Sequence, residues 1–208
     1  MAISMVEQGS YEWHVLRQGK VTGTTLASAL GSPKVRDTLM YKIISERMTE
    51  PKIDDINSPA IQRGRELEPL ARKAVEAKTG LTFTEVGMIL NPDIEHFGVS
   101  PDGVYFESDE KKPPVGGVEI KCPDSKKHVE YLIKEEIPKE YLNQVKAPFL
   151  ACDSIDWWVF ASFDDRNYEE PLFIKMVTRK DFPDLAKDRK DLIDYLNRVD
   201  ETHMKITF

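Results

Sequence analysis

Apolar residues recur at helical spacing over Thr24 to Leu30 and again over Asp37 to Met48. Gly31-Ser32-Pro33 breaks the pattern between them. Ser58-Pro59 is a helix start; from there a helix is predicted through Glu68 towards Lys78, with Thr79-Gly80 as its stop. Its apolar side comprises Leu67, Leu70, Ala71, Ala74 and Val75, and the polar stretch Pro51 to Pro59 before it is a loop or lid. The period then changes. Gly87 to Leu90, His96 to Ser100, Val104 to Phe106 and Gly117 to Lys121 are short strand-like runs. They are parted by Asn-Pro-Asp, Pro-Asp-Gly and the charged, Pro/Gly-rich connection from Glu107 to Gly117. A helix from Pro138 to about Leu150 and strands over Asp156 to Ser162 and Leu172 to Val177 follow. Last comes an amphipathic helix, Asp181 to Val199, with Leu185, Leu192, Tyr195 and Leu196 on one side. This order predicts one α/β domain over residues 1–208, a central mixed β-sheet flanked by helices.

Composition narrows the classes. With 40% hydrophobic and 31% charged residues, the 208-residue chain can bury a core. It has no run of 18 apolar residues, so no transmembrane helix or membrane partner is expected. Met1 to Ser10 lacks the basic start and apolar core of a secretory signal. Two cysteines, Cys122 and Cys152, are too few for a disulfide scaffold or a four-cysteine zinc site, and a reduced cytosolic compartment is expected. The net charge of −7 argues against a generic DNA-coating protein. The charge is uneven, however: residues 1–50 carry six basic and five acidic groups, residues 164–201 eight and eleven. A basic groove within an acidic exterior remains open.

The sharpest chemical signal is Ser100-Pro101-Asp102-Gly103 followed by Glu119-Ile120-Lys121. Period two places Glu119 and Lys121 on one strand face, and a hairpin between the two segments can bring Asp102 beside Glu119. Two such carboxylates are hard oxygen ligands suited to Mg²⁺ or Mn²⁺. A lysine beside them can orient an attacking water and steady charge on phosphorus. Taken singly, each half has a plainer role, since Pro-Asp-Gly is ordinary turn chemistry and Glu/Lys alternation suits an exposed strand. His14, His96, His128 and His203 have no metal-ligand spacing and are expected as surface or capping groups. Trp157 and Trp158 should face opposite sides of their strand, one in the core. Cys122 should point away from the acidic face, and the acidic C-terminal helix is expected as a solvated face.

Asp102 with Glu119-Ile120-Lys121 resembles the PD-(D/E)xK nuclease signature, and more narrowly the phage lambda-type alkaline exonuclease and viral recombinase branch. Three further stretches resemble that branch: Trp13, Arg17 and Val21-Thr22-Gly23-Thr24; Arg63-Gly64-x3-Glu68-Pro69-x-Ala71; and Gln144-Val145 in the following helix. Thr24 stands where the branch often has Ser, with the hydroxyl kept. The resemblance implies a restriction-endonuclease-like fold and a metal-dependent 5′→3′ exonuclease acting on double-stranded DNA ends. It implies two Mg²⁺ ions, Mn²⁺ being an alternative, on Asp102, Glu119 and the Ile120 carbonyl, with Glu68 outside them or seating the second. Glu66 is the rival of Glu68. Lys121 would handle the nucleophilic water, and Arg17, Thr24, Ser100 and Gln144 would hold the 5′-phosphate. A homotrimeric ring is implied, with Lys34, Arg36 and Lys42 facing its channel and Asp181 to Asp200 outside. So are a single-strand-annealing recombinase as partner and a phage or prophage gene in a bacterial host. An apolar wedge is implied near Ile61, for which core packing is the plainer reading. The rivals are a RecB-like or restriction-type endonuclease of this fold and a silent DNA-end binding module. Digestion of closed circles would mark the first; failure to release nucleotides with any divalent metal would mark the second.

Overall fold

The computed structural model describes residues 2–51, 58–107 and 112–207, without the side chain of Ala60. In chain order its elements are β1 (Ala2–Ser4), α1 (Tyr11–Arg17), α2 (Leu26–Ala29), α3 (Pro33–Met48), α4 (Pro59–Thr79), β2 (Met88–Leu90), β3 (Gly98–Val99), β4 (Gly103–Tyr105) and β5 (Gly116–Lys121). Then come α5 (Ser125–Lys134), α6 (Leu142–Ala151), β6 (Trp157–Phe163), β7 (Leu172–Thr178), a 3-10 turn (Arg179–Asp181) and α7 (Leu185–Thr207). The α/β class is as expected, but the strands divide between two sheets. One is antiparallel, β1-β2-β3; the other is mixed, β4-β5-β6-β7, with β5 parallel to β6 and its remaining pairs antiparallel.

Most departures from the sequence reading have local causes. The helix expected from Thr24 shrinks to four residues, because Thr22, Thr24 and Thr25 bond locally: the Thr22 amide donates to Thr25 Oγ1 at 2.8 Å. Gly31-Ser32-Pro33 does end α2, yet Ser32 and Pro33 are the cap and first residue of α3, which starts four residues before Asp37. Residues 138–141 form a turn, so α6 begins at Leu142. The last helix starts after Pro183 and runs on to Thr207. Strand β3 keeps only two residues of its predicted run; His96 lies outside it at φ 63°. β1, α1 and α5 were not anticipated. Asp124 caps α5 by accepting from the Lys127 amide at 2.9 Å. The 52–57 part of the predicted loop or lid, and residues 108–111 of the hairpin connection, lie outside the described residues.

The mixed sheet is packed on both faces. One face joins the main core, in which Trp158, Phe160, Phe97, Phe149 and Tyr195 are at most 1% exposed. The other rests on Ala71 and Val75 of α4 with Phe83, Val118 and Val159. Trp158 is thus the core member of the pair, while Trp157 lies half-buried edge-on to Phe83. Gly116-Gly117 is part of β5, because the indoles lie across it. A Cβ on Gly116 would meet the Trp157 ring at 2.2 Å, and one on Gly117 the Trp158 ring at 2.4 Å.

Several side chains correct the sequence reading. Leu70 and Ile61 are exposed, so neither packs in the core. His128 is fully buried, bonded through Nδ1 to Ser162 Oγ and through Nε2 to the Glu170 carbonyl, both at 2.8 Å. The acidic helix α7 is solvated on one side, with Lys187–Asp191 and Lys190–Asp194 pairs. It is also docked, through buried Asp188 on Lys146 and Asp200 on Arg47. Arg36 lies against Tyr195 of the same helix, its guanidinium 5.3 Å from the ring centre.

The crowding at Gly117 carries an expected outcome. Gly117→Ala should lower stability by about 1–3 kcal/mol, the usual cost of overpacking, with a blue or red shift of Trp158 emission. Denaturant unfolding followed by tryptophan fluorescence measures both.

Candidate active site

Strand β5 carries the site. Its pleat sends Glu119 and Lys121 to one face. Because Gly103 of β4 pairs with Val118, Asp102 sits just before β4, alongside them. Asp102 Oδ2 accepts from the Ile120 amide at 2.6 Å. Glu119 is 3% exposed, and its Oε1 accepts from both Lys121 Nζ and Gln144 Nε2. Glu68, from α4, lines the same groove as Asp102, Ile120 and Lys121. Glu66 is exposed and engaged by Gln62, so of the two acidic candidates on that turn Glu68 is the one at the groove. Cys122 lines the groove beside Lys121 while also packing on the smaller apolar cluster.

Burial raises the pKa of all three carboxylates, and the charge of Asp102 adds to it at Glu119 and Glu68. Burial, then the charge of Asp102, pushes Glu119 up to about 8 against the pull of Lys121. Burial and Asp102 likewise lift Glu68 to about 7, although Arg72 pulls it down. Asp102 is raised by burial, opposed by Lys121 and the Ile120 amide. Burial works against the Lys121 ammonium, but Glu119 and Asp102 outweigh it and hold its pKa above the ordinary value. Such repulsion is what a bound cation relieves. Among the described residues no three His, Cys, Asp or Glu side chains gather closely enough to hold a metal on their own. Asp102 and Glu119 instead form a two-carboxylate set that main-chain carbonyl and water would complete, the usual manner for Mg²⁺.

Arg17, Thr24, Ser100 and Gln144 meet. They line one small cavity of about 20 Å³, and Glu119 is part of its wall. Arg17 reaches it from the end of α1 with its guanidinium 4.2 Å from the Trp13 ring centre. Burial lowers its pKa, against the charges of Glu119 and Glu46; an arginine so placed remains a cation. The Trp13 indole donates to the Gly87 carbonyl at 3.0 Å and to Ser100 Oγ at 3.2 Å. Trp13 therefore ties two pocket residues together, a role its motif position does not reveal. Arg17 and Thr24 also border a larger cleft of about 550 Å³, which takes in Lys42, Ile61 and Arg65. Ile61 and Arg65 border the Glu68 groove as well.

Arg63 ties α4 to the segment after β6, and Arg72 ties it to the segment before β2. Arg63 Nη2 donates to Asp164 and Asp165, each at 2.7 Å, and Arg72 donates to Glu68 at 2.9 Å and to Glu85. Asp164 is fully buried. Burial would raise its pKa, but hydrogen bonds from Ser125, Arg63 and Arg166 outweigh that and hold it well below the carboxylate range. A span of 101 residues between Arg63 and Asp164 leaves no local signal for this pair.

Residues 12–152 match the YqaJ-like viral recombinase domain. The chain belongs to the YqaJ-like viral recombinase family. Among solved structures, this YqaJ-like chain is similar to an alkaline exonuclease (LHK-Exo) from Laribacter hongkongensis, at 32% identity and a TM-score of 0.83, covering 95% of this chain and 96% of that one. The same exonuclease in complex with dAMP gives 32% identity, a TM-score of 0.82 and the same coverage. A phage-related exonuclease from Haemophilus somnus, at 13% identity, TM-score 0.62 and coverage of 94% and 99%, shares the fold. No match is found among curated proteins. The restriction-endonuclease-like α/β class expected of this branch agrees with the fold of the alkaline exonuclease.

The raised carboxyl values have a thermodynamic sign. A folded-state pKa above the unfolded one means that the fold holds protons more tightly. The metal-free YqaJ-like domain therefore loses stability as pH rises from the ordinary carboxyl range through about 7 and 8. Asp102→Asn removes one repelling charge and keeps an oxygen for the Ile120 amide. In chelator near pH 8.5 its melting temperature should exceed the parent's by roughly 2–4 °C, the shift about 1 kcal/mol produces in a chain of this size. Near pH 5 the gain should vanish; thermal unfolding at both values checks it.

Proposed function

We propose that this chain is a divalent-metal-dependent deoxyribonuclease that digests linear double-stranded DNA from its 5′ ends, releasing 5′-mononucleotides and leaving a 3′ single strand. Family membership and the likeness to an alkaline exonuclease support a nuclease. The observation that carries the finer reading is the shared wall: the cavity of Arg17, Thr24, Ser100 and Gln144 includes Glu119 of the acidic groove. A phosphate recognised next to the hydrolytic centre gives polarity, because only a 5′-phosphorylated strand end presents that group there.

Mg²⁺, or Mn²⁺ in its place, would be held by Asp102, Glu119 and the Ile120 carbonyl, with Glu68 outside them or helping to seat a second ion. Bound there it would lower the pKa of water and stabilise charge developing on the phosphate. The chain's own groups do the rest. Arg17 supplies charge-assisted hydrogen bonds to the terminal phosphate, and Thr24 and Ser100 add hydroxyls. Gln144 spans the two parts, since its amide already donates to Glu119. Lys121 orients the attacking water and steadies negative charge. Ile61, exposed where groove and cleft adjoin, is the candidate wedge between strands. The reading extends to a ring of three copies with Lys34 and Lys42 towards the DNA, to an annealing partner, and to a bacterial cytoplasm.

Linear duplex labelled at the 5′ or 3′ end should lose the 5′ label first as mononucleotide, only when Mg²⁺ or Mn²⁺ is present, while closed circles survive. Asp102→Ala or Glu119→Ala should abolish release. Cutting of closed circles would favour the endonuclease reading, and no release with any divalent metal the silent binding module. Arg17→Ala should slow digestion of 5′-phosphorylated ends at least tenfold more than that of 5′-hydroxyl ends. Initial rates on the two substrates measure this, and equal losses would make Arg17 a general backbone contact.

A further inference from the structure

Tyr141 belongs to none of the motifs above, yet it lines the groove of the acidic cluster. It ends the turn before α6, three residues from Gln144, and its carbonyl accepts from the Val145 amide at 2.9 Å. Its ring stacks on Phe160, with centroids 5.6 Å apart and planes 26° apart. Phe160 is fully buried and pairs in register with Glu119 across the β5–β6 ladder. The ring is thereby held against β6, next to the strand that carries Glu119 and Lys121. Lys121 Nζ lies 5.3 Å from its centroid, and Tyr141 lines the groove together with Glu68, Asp102 and Lys121.

Besides the charge of Asp102, which would also be taken up by a bound cation, Lys121 has two neighbours able to hold a cation. The first is Glu119, whose Oε1 it shares with Gln144. The second is the face of Tyr141. Once Glu119 gives its charge to a divalent cation, the Lys121 ammonium loses that partner and is repelled from it. The ring face does not lose its attraction, because the ring quadrupole needs no ionised group. We infer that Tyr141 is a positioning residue that keeps Lys121 over the acidic cluster when Glu119 is otherwise engaged. The inference rests on the nuclease reading only for the use to which Lys121 is put; the Lys121–Tyr141 contact stands apart from it.

The contact has a signature in metal-free protein. Methylene protons beside an ammonium held over an aromatic face are shifted upfield by the ring current. One lysine Hε resonance should be displaced in the proton–carbon NMR spectrum of the lysine-labelled chain. It should vanish in Lys121→Met, which assigns it, vanish in Tyr141→Leu, and survive in Tyr141→Phe. In the nuclease assay with Mg²⁺, Tyr141→Leu should lower kcat about tenfold with KM for DNA little changed, and Tyr141→Phe should restore most of that loss. In a Lys121→Ala background the Tyr141→Leu loss should disappear.

Absence of a displaced resonance would overturn the inference, as would a Phe variant as slow as the Leu variant. So would a tenfold loss persisting without Lys121, or a loss carried by KM alone, since either would make Tyr141 a surface for DNA. If the parent chain releases no nucleotide, the nuclease reading fails, while the NMR comparison still decides whether Tyr141 seats Lys121.

Discussion

Glu119 is a carboxylate buried at the junction of a sheet, a groove and a small polar cavity, and the architecture around it follows from making that tolerable. An unpartnered charge at such depth costs on the order of several kcal/mol. Lys121 shares its face because a strand repeats every two residues, and Gln144 arrives from α6 to occupy the same oxygen. Asp102 is brought in by the β4–β5 pairing and is itself restrained by the Ile120 amide. Lys121 and Gln144 lower the cost without cancelling it and the charge of Asp102 adds to it, which is why the carboxyl groups still hold their protons more tightly than exposed ones do.

The remaining packing keeps this strand from shifting. β5 lies between β4 and β6, and a register slip of one residue would send Glu119 into the apolar layer and Val118 into the groove. Two tryptophans lie over Gly116 and Gly117, so a slip would also drive a side chain into an indole. On the groove side, α4 is anchored at one end by Arg63 on Asp164 and Asp165, and further along by Arg72 on Glu85; Arg72 also pairs with Glu68 one turn away on the same helix. Glu68 is thus held on a helix whose brace on Arg63, Asp164, lies 101 residues from that arginine in sequence.

What could be read in the sequence was what local periodicity and motif spacing encode. The β4–β5 hairpin and the common face of Glu119 and Lys121 follow from spacing within a segment, and the fold reproduces them; the preference for Glu68 over Glu66 came from the resemblance. Helix boundaries were less legible where two signals competed. Ser32-Pro33 looks like a break and is a start; Thr24 has helical neighbours, but the hydroxyls around it bond to one another. The split of the strands into two sheets was hidden, because β1 and β3 are three and two residues long and alternation in them has no statistical weight. His128 was misjudged for a related reason: its partners, Ser162 and the Glu170 carbonyl, lie 34 and 42 residues away. The candidate phosphate cavity was legible only through resemblance, since nothing in the spacing of Arg17, Thr24, Ser100 and Gln144 says that they meet.

That dispersal has a consequence for how the protein is made. The small cavity draws on α1, on the loop before α2, on the segment after β3, on β5 and on α6. A chain emerging from the ribosome exposes Arg17 long before Gln144, and β5 lacks its parallel neighbour until β6 has also been synthesised. Until that point Glu119 is a solvated carboxylate on an unpaired strand edge, with no enclosed face and no shared wall. The β4–β5 hairpin, with Asp102 on the Ile120 amide, needs only residues up to Lys121, whereas the small cavity awaits α6 and the parallel pairing of β5 with β6.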